Sequence, residues 1–192
     1  MKKFRIAVVA SGSGTNAENI IRYFRGHDAI EVAMVLSNNP NAFVLQRASN
    51  FQIPSTVFSR DDFRSPQAFL GLLAENKITH IVLAGFLWLI PDYLIQAFPD
   101  RIINIHPALL PKFGGKGMYG SKVHEAVKAA GETETGITIH LVNEKYDEGT
   151  VLFQKSCPLD AGYTPEQIAE CVHVLEYQYY PKVIEKWVME NS

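Results

Sequence analysis

Two side chains at the end of one apolar run have the types and spacing for acyl chemistry. "RIINIHP" places an amide, Asn104, and an imidazole, His106, two residues apart and directly before Pro107. In an extended chain that spacing turns both side chains to one face. Pro107, with no N–H to give, ends the strand there. An amide donor beside an imidazole can bind a developing oxyanion and move a proton. Read alone, a strand histidine is more often a satisfied core group; its place at a strand end shifts the balance toward chemistry. A third candidate, Asp147, lies far along the chain in "NEKYDEGT". By composition that stretch reads as a solvated turn. If Asp147 instead reaches His106, its charge favours the imidazolium and raises the histidine pKa.

A glycine-rich stretch, "VVASGSGTNAENII", runs from an apolar strand through a turn into a helix, so free backbone N–H groups and the positive helix end converge. That arrangement attracts an anion, most often a phosphate. Gly12-x-Gly14-x-x-Ala17 also fits the loose dinucleotide fingerprint G-x-G-x-x-G/A. That reading needs a carboxylate at the end of the second strand, whereas "VLSNN" puts Ser37 and Asn38 there. A smaller phosphorylated ligand is favoured over a dinucleotide and over a plain tight turn. No Walker lysine follows, which disfavours nucleoside triphosphate hydrolysis. Near the C-terminus, His173, Glu176 and Tyr180 follow i, i+3, i+7 spacing and share one helix face. A charge such as Glu176, read alone, belongs on an exposed face.

These groups need a scaffold that brings distant strand ends together. Short β-branched runs alternate with amphipathic segments, the pattern of βα units around a parallel sheet. The strands are expected at 4–10, 31–37, 55–58, 80–85 and 101–106, with helices near 15–26, 42–50 and 66–76 and a short one after Pro91. Near-continuous apolar strands suit a sheet covered on both faces. After Gly131 two strands, 136–142 and 150–159, follow one another without a helix between them, so they are expected to pair antiparallel. A long helix opens at "TPEQ", with Thr164 as cap, Pro165 at the first position and Gln167 completing a capping box. The fold class is therefore α/β: an open, mostly parallel, doubly wound sheet with an antiparallel C-terminal pair and a long last helix. Residues 1–192 are read as one domain. In such sheets ligands bind outside the carboxyl ends of the strands, where Asn104 and His106 lie.

Composition narrows the classes. The chain has 192 residues, 47% of them hydrophobic and 20% charged, with a formal net charge of -2. That suits a sizeable core and gives no basic excess for nucleic acid or an anionic membrane. The leader-like start "MKKFRIAVVA" has too short an apolar run and carries Arg5 inside it, so it reads as a first strand. Cys157 and Cys171 form no CxxC and no metal-ligand spacing, which points to reduced thiols and a cytoplasmic protein. No stretch approaches a spanning helix, so no membrane partner is expected.

Taken together, in order and spacing, these stretches resemble the folate-dependent formyltransferases, and among them the glycinamide ribonucleotide formyltransferases of purine biosynthesis. "SGSGTN" resembles the family's phosphate loop, "AGFLWLIP" its folate-binding stretch, "NIHPALLPKF" its formyl-transfer signature, "YDEG" its acidic loop and "LEYQYYP" the motif on its closing helix. The resemblance spans nearly the whole chain. It implies that Asn104, His106 and Asp147 are catalytic. Gly14, Thr15, Asn16, His173 and Glu176 would bind the phosphoribosylglycinamide acceptor. The formyl donor, 10-formyltetrahydrofolate, would lie along Leu87, Trp88, Leu89, Ile90 and Asn104, and along Asn143, Glu144, Lys145, Tyr146 and Asp147, largely through backbone groups. Arg64 is a further candidate for the folate tail. Trp88 stands where relatives commonly have Arg or Lys, and the loop at 113–122 is longer than in some relatives. No metal is implied. The partners implied are small-molecule substrates, with monomer or homodimer undecided. A deformylase or a sugar N-formyltransferase would share the asparagine–histidine–aspartate set, as would a methionyl-tRNA formyltransferase, which usually carries a further RNA-binding domain. A non-catalytic nucleotide-binding module would keep only the glycine loop.

Overall fold

The apolar strands expected on both faces are apolar because the sheet is sandwiched. The computed structural model describes residues 3–190, so the two residues at each terminus lie outside it. Its elements are β1 (Phe4–Val9), α1 (Thr15–Phe24), β2 (Ile30–Ser37), α2 (Phe43–Asn50), β3 (Ser55–Val57), α3 (Arg60–Arg64), α4 (Pro66–Glu75), β4 (His80–Leu83), α5 (Asp92–Ala97), β5 (Ile102–His106), α6 (Ser121–Ala129), β6 (Glu134–Leu141), β7 (Val151–Pro158) and α7 (Pro165–Glu190). The seven strands form one sheet in the order β3-β2-β1-β4-β5-β6-β7. β3 through β5 are parallel, and β6 and β7 add antiparallel to that edge.

Alternation along each strand divides the core. Ile6 and Val8 of β1, Val82 of β4 and Ile103 of β5 pack against Ile20 and Phe24 of α1, Val44 of α2 and Val172, Tyr180 and Ile184 of α7. Their neighbours Ala7, Val9, Ile81 and Ile102 face Phe69 and Leu73 of α4 and Leu94 of α5 on the other side. The period of two is the strand's own geometry made visible by burial.

The helix starts follow their caps. Ser65 Oγ accepts from Ala68 N with Pro66 at the first turn. At α7, Thr164 Oγ1 accepts from Gln167 N at 3.3 Å while Gln167 Oε1 accepts from Thr164 N at 2.9 Å, the reciprocal box expected from "TPEQ". Two helices were not expected. α3 is five residues long and opens on a Ser59–Asp62 box, too short to give a periodic pattern. α6 follows the glycine-rich loop and buries Val123, His124 and Val127.

A second departure concerns the cysteines. Rather than two reduced thiols, the structure joins Cys157 on β7 to Cys171 on α7 in a disulfide, with Cα atoms 6.7 Å apart. Packing of α7 over the antiparallel edge brings together two residues separated by 14 positions, which spacing alone does not reveal. Among the described residues no helix is long and apolar enough to cross a membrane, and no group of three or more His, Cys, Asp or Glu side chains could hold a metal ion.

Candidate active site

The strand order reverses at β1, whose two neighbours are β2 and β4. At such a switch point the loops leaving adjacent strands diverge to opposite faces and open a crevice. A cavity of about 600 Å³ lies there, bounded by the glycine loop after β1, residues 83–90 after β4, the end of β5, the loop at 115–120, the β6–β7 connection and one face of α7. That volume falls in the range of small-molecule sites.

At one end is the glycine loop. Gly14 has φ of 72°, and a Cβ there would lie 2.4 Å from Val44 of α2, so only glycine fits. The loop carbonyls are all engaged: Ser11 O by Asn39 Nδ2, Gly12 O by Val44 N, Ser13 O by Arg47 Nε and Gly14 O by Glu18 N. Among the described residues, the backbone amides of Gly12 to Asn16 donate to no protein acceptor. They form a concave set of donors at the N-terminus of α1, where the helix dipole adds positive potential.

At the other end, β5 delivers Asn104 and His106 to one face as their spacing predicts. His106 is 3% exposed; its Nε2 donates to Phe113 O at 2.7 Å and its Nδ1 lies 3.5 Å from Asp147 Oδ2. The distant carboxylate therefore does converge on the imidazole. Asp147 also accepts from Gly115 N at 2.9 Å and from Asn104 Nδ2 at 3.5 Å. Its carboxylate thus fastens the glycine-rich 113–120 loop over the strand end. The local chain has no slack: a Cβ on Gly149 would lie 1.6 Å from Leu141 O, which explains the glycine two residues after Asp147.

One expectation is corrected in sign. Burial lowers the His106 pKa more than Asp147 and the Phe113 carbonyl raise it, and His140 lowers it further. The net shift is downward: Asp147 pulls upward as foreseen, but desolvation of a ring this enclosed outweighs it. For Asp147 itself burial pushes the carboxyl up, yet His140, His106 and the Gly115 amide together hold it below its ordinary value.

Sequence reasoning missed His140. It lies directly opposite Asn104 in the β5–β6 ladder, as Thr138 lies opposite His106. Its Nδ1 donates to Leu141 O at 2.8 Å, and its Nε2 lies 3.2 Å from Asn104 Nδ2 and 3.5 Å from Asp147 Oδ1. The ring thus stands against both the Asn104 amide and the Asp147 carboxylate and limits how either can turn. A signal existed: "GITIHLV" carries polar Thr138 and His140 two apart inside an apolar strand, mirroring Asn104 and His106.

The remaining candidates divide. Glu176, expected from its type on an exposed face, is 6% exposed and accepts from Asn16 Nδ2 at 2.9 Å. Burial pushes its carboxyl up to about 7. Tyr180, one turn on, is fully buried and donates to Leu83 O at 2.8 Å, fixing α7 across the carboxyl end of β4. Thr15 and Asn16 line the cavity beside Gly14, and Asn16 Oδ1 is buried there without a partner. His173 also lines it, stacked on Tyr177. Leu87, Trp88, Leu89 and Ile90 form one wall; Leu87 and Leu89 are each 43% exposed, while Trp88 packs with Phe58, Phe63 and Phe86. Asn143, Lys145, Tyr146 and Asp147 form the facing wall, whereas Glu144 is exposed outside it. Arg64 is exposed in the last turn of α3 and does not line the cavity; Arg60, four residues earlier, stacks over the Trp88 ring at 4.5 Å.

Comparison with known proteins gives the family. The formyl transferase family model matches residues 4–184. The chain is 39% identical over 197 residues to the phosphoribosylglycinamide formyltransferase of Bacillus subtilis, covering 100% of this chain and 97% of that protein. It is 40% identical over 189 residues to the chloroplastic enzyme of that name from Arabidopsis thaliana, covering 95% of this chain and 65% of that longer protein. The crystal structure of phosphoribosylglycinamide formyltransferase from Bacillus halodurans superposes with a TM-score of 0.87 at 33% identity, covering 98% and 97% of the two chains. With one sheet topology, near-complete coverage and these identities, the chain belongs to the formyl transferase family, and within it to the phosphoribosylglycinamide formyltransferases.

Proposed function

We propose that the protein transfers the formyl group of 10-formyltetrahydrofolate to the amine of phosphoribosylglycinamide, with Asn104, His106 and Asp147 as the catalytic set. The observation that carries this reading is the convergence of those three side chains at one end of a cavity whose other end is an anion cradle. A phosphorylated amine would bridge the two ends. Its phosphate would take the amides around Gly14, Thr15 and Asn16, and Glu176 and His173 would meet its glycinamide end. The buried, unpartnered Asn16 Oδ1 is an acceptor that a substrate N–H or O–H would satisfy. The open apolar wall at Leu87 to Ile90, facing Asn143 to Asp147, fits a flat heterocycle held by backbone groups. The folate supplies the formyl group when bound.

The residues act on the charge that develops as the amine adds to the formyl carbon. Negative charge builds on the formyl oxygen, and Asn104 is the donor for it. In the free protein one Asn104 N–H faces His140 and the other makes only a long contact to Asp147, so the second can turn to an oxyanion at small cost. His106 rests with its proton shared toward Phe113 O, and its downward shift favours the neutral ring. The attacking amine gives up a proton as it becomes an amide nitrogen; His106 would take that proton, Asp147 would stabilise the resulting imidazolium, and His106 would then return it to the leaving folate nitrogen as the C–N bond to that nitrogen breaks. The substrates are small molecules.

Removing one oxyanion donor lowers turnover on the order of 10²–10³-fold. Asn104→Ala and His106→Ala are each expected to fall by that much while remaining folded, as judged by circular dichroism; near-normal turnover in either sinks the assignment. Labelled 10-formyltetrahydrofolate offered with the ribonucleotide, with water alone and with other amines separates the alternatives. Label is expected only in the ribonucleotide. Formate release without an acceptor would instead support a deformylase.

A further inference from the structure

Among the described residues, the loop at 11–16 carries no cationic side chain of its own, yet one is fastened to its outer side. Arg47 of α2 donates through Nε to Ser13 O at 2.8 Å, and its Nη1 pairs with Glu18 of α1. Its guanidinium also stacks over the Phe43 ring at 4.9 Å. In a trans peptide the C=O and the following N–H point in opposite directions. A Ser13 carbonyl drawn outward to Arg47 therefore turns the Gly14 N–H inward, toward the cavity. This peptide is the vulnerable one. Gly14 is the residue whose backbone can rotate most freely, and a flip would replace a donor by a carbonyl oxygen facing the anion. The neighbouring Gly12 and Gly14 carbonyls are held by backbone amides, of Val44 and Glu18, whereas Ser13 O depends on a side chain.

We propose that Arg47 is a positioning residue for the anion cradle: by holding the Ser13–Gly14 peptide in one orientation, it sets how tightly the phosphate end of the acceptor is bound. This rests on the reading that the acceptor's phosphate occupies the glycine loop. Arg47 touches neither the reacting carbon nor the amine, so its effect belongs in the phosphate-dependent part of binding. A hydrogen bond from a charged donor is worth on the order of tenfold in an equilibrium.

The test compares acceptors with and without the phosphate. For Arg47→Met, the KM for the ribonucleotide and the inhibition constant of inorganic phosphate against it are both expected to rise about tenfold. The KM for the unphosphorylated riboside and kcat should stay within about twofold. Equal rises for ribonucleotide and riboside would mark a general structural role and overturn the proposal, as would an unchanged inhibition constant. If Arg47→Met does not fold, Arg47→Lys is measured the same way. It keeps the charge but loses the fork that serves Ser13 and Glu18 together, so a rise of a few-fold confined to phosphate-bearing ligands supports the proposal and no rise overturns it. The wild-type protein supplies the control: if inorganic phosphate does not compete with the ribonucleotide, the phosphate reading itself fails. Competition of equal strength in wild type and variant removes only the role of Arg47.

Discussion

Glu176→Gln isolates the cost of the most unusual charge in the protein. Burial displaces the Glu176 carboxyl from 4.5 to about 7, and the Asn16 amide offsets only part of that. At 1.36 kcal/mol per pH unit, the ionised native protein is strained by about 3 kcal/mol relative to one whose carboxyl titrates normally. The native state keeps this proton between pH 4.5 and about 7, whereas the unfolded chain has already released it. The stabilisation is therefore complete below the unfolded value and is lost as pH rises through about 7. Glutamine has the same shape, accepts the same bond from Asn16 Nδ2 and cannot ionise. Urea unfolding from pH 5 to pH 8, read as the wild-type minus Glu176→Gln difference, is expected to fall by about 2–3 kcal/mol across that range and then level off. His80 and His124, which burial lowers to about 4, act in the other direction. Each rejects in the native state a proton that the unfolded chain takes near pH 6.5, so stability drops as pH falls. They are common to both proteins and cancel in the difference. A flat difference curve would show that the carboxylate is solvated in the native state and that its enclosure by α7 and Asn16 has no energetic consequence.

Two further outcomes follow from the geometry around Asp147. Asp147→Asn removes the largest upward influence on His106, so its titration midpoint, followed by NMR, is expected to move further down; an unmoved midpoint would deny the contact an electrostatic role. Gly149→Ala places a methyl where Leu141 O already lies, 1.6 Å from the ideal Cβ. The variant should lose about 2–3 kcal/mol, seen as a lower melting temperature. It should lose turnover as well, because the shift is passed to Asp147 two residues earlier; an unchanged melting temperature would contradict the crowding.

Sequence reasoning and structure agree where the physical signal is local, and they part where it is not. Near-continuous apolar runs gave β1, β2, β4 and β5, because a strand buried on both faces must be apolar along its length. The α7 start was legible since a capping box is made within four residues. Asn104, His106 and the glycine loop were legible for the same reason: each motif needs only neighbouring residues to state its geometry. The burial of Glu176 was not legible from its type, only its role from the resemblance, because whether a carboxyl on a helix faces solvent or a cavity depends on what the helix packs against. His140 and the Cys157–Cys171 link likewise depend on strand register and on the docking of α7.

The sequence by itself determined which groups could do chemistry and that they end strands of a parallel sheet, since side-chain type and short-range periodicity fix both. Only the tertiary structure decided that Asn104 reaches a carboxylate 43 positions away, that His140 stands behind Asn104, and that His106 shifts downward. Those outcomes are set by distance and desolvation, which depend on atoms remote in the chain and leave no trace in local spacing.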